Sequence, residues 1–248
     1  MVHIKTEKEI AVMRQGGNIL ARVLRDTALA VRSGMKTKEL DAIAEQLTLQ
    51  AGAQVAFRGY QGFPGVLCVA VNDEGVHTAP SGRALEKGDI LTLDMGLIWQ
   101  GWYLDMARTI PVGEIDEEKK KLLRVTKECH ELALKETRVG KRLGDIGFAI
   151  QDHAEKNGYN AVRELCGHGI GRELHEDPKV LCYGTPGTGP ELKEGMVICI
   201  EPMITQGDWK LKLGKDGFSF NTKDGSLFCH IEDTIAITKK GPVVLTQG

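Results

Sequence analysis

Four carboxylates carry the most informative chemistry in this 248-residue chain: Asp94, Asp105, Glu201 and Glu232. Asp94 closes the apolar run at 90–93 and Glu201 closes Val197–Ile200, so each reads as the end of a buried strand rather than a solvated acid. Buried like charges raise one another's pKa and oppose folding unless a cation neutralises them. Two divalent ions about 3.5–4 Å apart, bridged by carboxylates, meet that need and hydrolyse peptides and phosphates. One imidazole would complete an asymmetric pair of sites.

Of the seven histidines, His168 stands in Cys166-Gly167-His168-Gly169-Ile170-Gly171. Its flanking glycines let the backbone approach a metal or substrate closely. His77 and His175 each lie three residues before a proline, Pro80 and Pro178. His3, His130 and His153 have the neighbours of helix surfaces or termini. His230 shares a strand face with Glu232 by alternation and has no assigned role.

The elements that must position these groups follow a repeating order. Thr6 and Glu9 form a capping box for a first helix. Its face is Ile10, Met13, Gly17, Leu20, Leu24 and Val31, and Gly34 ends it. Gly16-Gly17 weakens that helix by about 1 kcal/mol per glycine relative to alanine. A second helix is expected over 37–50, then strands over 66–71, 90–93 and 99–109. Helices return over 117–139 and 145–156, and strands over 180–183, 196–200 and 226–238.

A shift of 106 residues lays Gly34 on Gly140 and Leu40 on Ile146; a shift of 107 lays 85–94 on 192–201, both ending in a carboxylate. A shift of 127 lays Leu104-Asp105 on Ile231-Glu232. The extra residues fall at 206–227 and read as an inserted hairpin turning at Lys215-Asp216-Gly217. The expectation is one α+β domain over 1–248, with halves at about 34–111 and 140–238. Strands side by side would then gather the four carboxylates near a pseudo-two-fold axis.

Bulk properties narrow the class. Hydrophobic residues make up 42% and charged residues 27%, which excludes disordered and low-complexity chains. The net charge of −2 argues against a nucleic-acid coat, and 5% aromatics argue against a base-stacking surface. No apolar run nears the roughly 18 residues that span a bilayer. Lys5, Glu7, Lys8 and Glu9 occupy the place of a signal peptide's apolar stretch, so a cytoplasmic protein is expected. Six widely spaced cysteines without a C-x-x-C pattern are expected to be free thiols.

Taken in order, these residues resemble the type I methionine aminopeptidases. The matching pieces are Gly59-Tyr60-Gln61-Gly62-Phe63-Pro64, His77-Thr78-Ala79-Pro80, Asp94 with Asp105, Gly167-His168-Gly169-Ile170-Gly171, His175-Glu176-Asp177-Pro178, Glu201-Pro202-Met203 and Ile231-Glu232-Asp233-Thr234. They span nearly the whole chain. The resemblance implies the pita-bread (creatinase/aminopeptidase) fold, an antiparallel sheet with a pseudo-two-fold axis covered by helices. It implies removal of initiator methionine from nascent chains by a hydroxide held between two divalent ions, drawn from Co, Mn, Fe or Zn. Asp94, Asp105, His168, Glu201 and Glu232 match the metal ligands, with Asp105 and Glu232 bridging.

By the same resemblance Glu201 also shuttles the proton, His175 contacts the scissile carbonyl and His77 the scissile amide nitrogen. Tyr60, Phe63, Cys68, His77 and Phe218 match the pocket for the methionine side chain, whose soft apolar walls suit a thioether. Partners implied are nascent polypeptide N-termini, with transient ribosome contact, no specific nucleic acid, no membrane, and a monomeric enzyme. Met1 precedes a small Val2, so the chain's own start resembles a substrate. Departures from the family pattern are Gly96, Leu104, Leu174, Phe218 and Asp233. Two alternatives stay open. One is an Xaa-Pro aminopeptidase or prolidase, toward which the residues around Asp94 and Asp105 lean although 248 residues leave no room for their extra domain. The other is a pita-bread binding module without catalysis.

Overall fold

Thr6 opens the first helix through the expected reciprocal cap: its hydroxyl accepts from the Glu9 amide, and the Glu9 carboxylate accepts from the Thr6 amide. The computed structural model describes residues 2–247, so Met1 and any bearing it has as a substrate lie outside them. The chain runs through α1 (Glu7–Leu29), α2 (Thr37–Gln50), β1 (Gln54–Val55), β2 (Cys68–Val71), β3 (Glu74–Val76), β4 (Ile90–Trp99) and β5 (Trp102–Pro111). It continues with α3 (Glu117–Glu136), α4 (Leu143–Lys156), β6 (Asn160–Ala161), β7 (Cys166–Gly169), β8 (Glu176–Leu181) and β9 (Val197–Ile200). The last elements are β10 (Met203–Thr205), β11 (Leu211–Leu213), β12 (Phe220–Thr222), β13 (Phe228–His230), β14 (Glu232–Thr238) and β15 (Gly241–Val244).

Several boundaries differ from the sequence expectation. The first helix stops at Leu29, well short of Gly34. Asp94 does not end its strand but sits inside β4, which runs on to Trp99. The strand expected over 99–109 begins at Trp102, because Gln100 and Gly101 both adopt positive φ (50° and 76°) and close a tight hairpin between β4 and β5. The strand expected over 226–238 breaks at Ile231 into β13 and β14, which join different sheets.

The main sheet has the order β1-β4-β5-β14-β9-β7-β8, with β2 also on β4 and β15 also on β14, and every described pairing in it is antiparallel. Leu93, Met95 and Leu97 alternate with Asp94 and join Met13, Leu20 and Leu24 of α1 in one buried cluster. The first helices and the Asp94 carboxylate therefore occupy opposite faces of β4. A second cluster packs Leu122 and Val125 of α3 and Ile146 and Ile150 of α4 against Ile198, Ile200, Ile235 and Ile237.

Backbone hydrogen bonds recur between the two sequence halves at shifts of 106 and 107, except for Val112 and Ile237, which lie 125 apart. Gly34 donates to Leu85 and Leu85 to Met35; Gly140 donates to Leu192 and Leu192 to Lys141. Gly88 donates to Val112 and Val112 to Asp89, as Gly195 does to Ile237 and Ile237 to Met196. A hairpin of β11 and β12 forms within 206–227 and its second strand pairs with β3. No helix among the described residues is long and apolar enough to cross a membrane.

Gly16 and Gly17 are explained by close approach, not by helix weakness. A Cβ on Gly17 would lie 2.1 Å from the Leu245 carbonyl oxygen, and one on Gly16 would lie 2.7 Å from both Leu104 and Trp99. Leu104 thus packs into the notch that Gly16 leaves. Gly17→Ala gains helix propensity of about 1 kcal/mol, but the clash with a backbone atom outweighs it, for a net loss of about 1–3 kcal/mol. A thermal melt should show Tm lowered by roughly 3–9 °C; an unchanged or raised Tm would show that the segment after β15 yields freely.

Candidate metal centre

Strand register gathers the carboxylates. Ala107 of β5 is paired with Asp94 of β4 on one side and Glu232 of β14 on the other, and Asp105 lies two residues earlier on the same face of β5. Ala107 is fully buried and small, which leaves room above it for groups from three strands. Glu201 follows β9 directly, and His168 lies on β7 beside it. The His168 Nε2 atom is 3.9 Å from Glu201 Oε1 and 4.0 Å from Glu232 Oε1.

His230, left without a role in the sequence, enters the same site: its Nε2 is 3.4 Å from Glu201 Oε2 and 3.8 Å from Glu232 Oε2. Alternation along one strand correctly put it beside Glu232, although the two residues belong to different strands.

Electrostatics match a site built for cations. Burial, with the Glu201 charge behind it, pushes Asp94 up to about 6. Burial and the neighbouring carboxylates push Asp105 and Glu232 well above the usual range. Glu201 is also buried, but the imidazoles of His230, His168 and His77 outweigh that and hold it below its ordinary value. Asp94 Oδ1, Glu232 Oε1 and both ring nitrogens of His230 are buried without hydrogen-bond partners. Ligand atoms of Asp94, Asp105 and Glu232 lie within 4.8 Å of one another, as do those of Glu201, His230 and Glu232. Orphaned buried acceptors in an oxygen-rich set with imidazole fit a divalent ion.

A cavity of about 370 Å³ opens above the carboxylates. All five residues expected in the pocket, Tyr60, Phe63, Cys68, His77 and Phe218, line it together with His175. Phe63 meets the Phe218 ring edge-on at 5.9 Å, and His77, held at φ 57°, meets Phe220 at 5.8 Å. The Tyr60 hydroxyl lies 2.7 Å from His175 Nδ1. Although His175 keeps an exposed surface, desolvation against the cavity wall, with His168 beside it, lowers it to about 4, so its ring is neutral at pH 7. Sequence reasoning did not place Phe57, Val76, Leu213 or Phe220 in this wall. They come from one connection and three short strands, and nothing in their sequence neighbours marks which wall they face.

The departures from the family pattern have local partners. A Cβ on Gly96 would lie 2.6 Å from the Phe57 ring, so Phe57 fills the space a side chain would need. Leu174 lines the cavity and is 2% exposed. Asp233 accepts from Arg108 Nη2 at 2.7 Å and Thr246 Oγ1 at 2.6 Å, while Arg108 Nη1 donates to the Glu232 carbonyl at 2.6 Å. His130, expected on a helix surface, is instead 6% exposed, with Nε2 3.4 Å from Asp233 Oδ2. It is buried because α3 packs that face onto β13. His153 is on the surface as expected, 2.8 Å from Glu128. All six cysteines are free, and burial pushes the Cys68 thiol up.

Residues 11–239 match metallopeptidase family M24, and the chain belongs to that family of enzymes, which implies divalent metal. Within it, the chain is 44% identical over 246 residues to the methionine aminopeptidase of Clostridium perfringens, covering 99% of each protein. The crystal structure of a methionine aminopeptidase from Thermotoga maritima matches with TM-score 0.98 at 42% identity over the full length of both chains. A prolidase from Pyrococcus furiosus matches with TM-score 0.81, but at 24% identity and over 65% of its length, a likeness of fold alone. The fold is the pita-bread fold expected from the sequence.

Proposed function

We propose that this chain is a metal-dependent methionine aminopeptidase that removes the N-terminal initiator methionine from newly made proteins and peptides. The observation that carries this is the row of buried carboxylates flanked by His168 under a soft apolar cavity. Likeness over the full length to methionine aminopeptidases, and only over part of a prolidase, supports it against the proline-directed alternative. Asp94, Asp105, His168, Glu201 and Glu232 would hold two divalent ions, of Co, Mn, Fe or Zn, with Asp105 and Glu232 shared. When bound, these supply a Lewis acid and acidify a water molecule.

The chain's own residues do the rest. Glu201, held ionised by its imidazole neighbours, takes the proton of the attacking water and delivers it to the departing amine. Neutral His175, with the Tyr60 hydroxyl donating to Nδ1, presents Nε2–H to the scissile carbonyl oxygen. His77, which also lines the cavity, contacts the scissile amide nitrogen. A floor of carboxylates suits a free α-amine and not an internal amide, which restricts the reaction to chain ends. Tyr60, Phe63, Cys68 and Phe218 enclose the methionine side chain. We take the monomer as the working unit, acting in the cytoplasm where new N-termini emerge from the ribosome.

Two peptides test the reading. The metal-loaded protein should release methionine from Met-Ala-Ser at least about tenfold faster, in kcat/KM, than it releases alanine from Ala-Pro-Ser. Preference for Ala-Pro-Ser would reassign the site to the proline-directed class. Failure to bind any divalent cation would leave a binding module.

A further inference from the structure

Lys5 is a buried lysine near the start of the chain. Its side chain is 1% exposed, and its ammonium donates to Glu176 Oε2 at 2.8 Å. The pairing spans 171 positions of sequence and ends on the residue next to His175. Glu176 uses its other oxygen to accept from the Arg172 amide at 2.6 Å and the Glu173 amide at 3.2 Å. This one carboxylate, on the first residue of β8, therefore ties down the middle of the connection between β7 and β8, the connection on which His175 is carried.

The slot is closed around the pair. A Cβ on Gly171 would lie 2.6 Å from Lys5 Cε and 2.7 Å from Glu176 Oε1. The Lys5 amide donates to the Gly195 carbonyl at 2.7 Å, which anchors the strap from the other side. Burial pushes the Glu176 carboxyl up, but the Lys5 ammonium and the two amides outweigh it and hold it below its ordinary value. Without the ammonium a nearly buried carboxylate would have no cation, and such a charge turns toward water and releases what it holds.

We propose that Lys5 is a positioning residue for the peptidase reaction, its ammonium fixing through Glu176 the connection that aims His175 into the cavity. This rests on the reading of His175 as the group that meets the scissile carbonyl. Lys5 touches no reacting atom; it acts only through Glu176. A shift of His175 by about 1 Å suffices to cost up to about 100-fold in turnover.

The test compares metal-loaded wild type, Lys5→Met, Glu176→Gln, His175→Ala and Lys5→Met/His175→Ala on Met-Ala-Ser, with hydrogen exchange at the Arg172 and Glu173 amides of the metal-free protein. Lys5→Met and Glu176→Gln should each lower kcat about 10–100-fold, with KM within about threefold and metal content unchanged. In the His175→Ala background, Lys5→Met should cost less than about twofold more, since both changes act on one group. The two amides should exchange faster in Lys5→Met. Wild-type kcat in both folded single variants, or a full multiplicative loss on top of His175→Ala, would overturn the positioning role. Should Lys5→Met fail to fold, Glu176→Gln decides by the same criteria. No methionine release by the wild type would instead overturn the peptidase reading, and the catalytic part of this proposal with it.

Discussion

Glu201→Gln will lower kcat/KM for Met-Ala-Ser by about 10²–10⁴-fold, the span covered by a positioned acid–base group. The side chain is 11% exposed, follows β9 directly, and faces two imidazoles within 4 Å. Those imidazoles keep it ionised despite burial, which is the state a proton acceptor must be in. Glutamine has nearly the same volume and leaves the contact of the Glu201 backbone carbonyl with the Cys182 thiol intact. The fold should survive, with an unchanged near-ultraviolet circular dichroism spectrum. Metal content must be measured alongside, since the same carboxylate is assigned to metal binding. A variant with full metal that retains more than about a tenth of wild-type kcat/KM, a loss under ~1.4 kcal/mol, would contradict the assignment.

Chelation will abolish turnover, and the stability it removes will grow with pH. In the metal-free fold burial pushes Asp94 up to about 6 from an ordinary value of 3.8, and Asp105 and Glu232 are also raised well above their ordinary values. A raised acid contributes stability that is present in full below the unfolded value and is lost as pH rises through the folded one. Metal-free protein therefore loses the Asp94 contribution between about pH 4 and pH 6, and Asp105 and Glu232 act in the same direction. Metal binding requires the ionised ligands, so it strengthens over the same range. The gap in Tm between metal-loaded and chelated protein should thus be small near pH 5 and widest near pH 7.5. Equal melting of the two forms at about pH 7.5 would mean that these carboxylates are neutralised by something other than metal. Turnover should return on adding a divalent ion alone.

Much of this site was legible in the chain itself. Asp94 and Glu201 announced themselves by following apolar strand runs, and His168 by its glycine flanks. The recurrence of 85–94 at 192–201 appears again in the backbone bonds of Leu85 and Leu192. The capping box at Thr6 is local chemistry and was read correctly, whereas the end of α1 was not, because Gly34 terminates a connection rather than the helix. Gly16-Gly17 looked like weakness in one dimension and is a contact surface in three.

Other features had no local signal. His130, Arg108 and Asp233 come from three elements, and nothing in the neighbours of His130 marks it as buried against an acid. Lys5 reads as an ordinary charged residue at the edge of a helix until it meets Glu176. His230 could be placed on a face but not against Glu201, because that depends on where β13 gives way to β14.

The sequence by itself determined the order and kind of most long elements, the ligand-type residues, and the resemblance that ties them to one family. These rest on periodicity, caps and composition, which act over a few residues. Only the tertiary structure decided that Asp94 and Glu232 flank Ala107, that His230 joins the carboxylates, and that Lys5 reaches the residue beside His175. Those facts depend on strand register, and a slip of one position would turn each side chain to the other face.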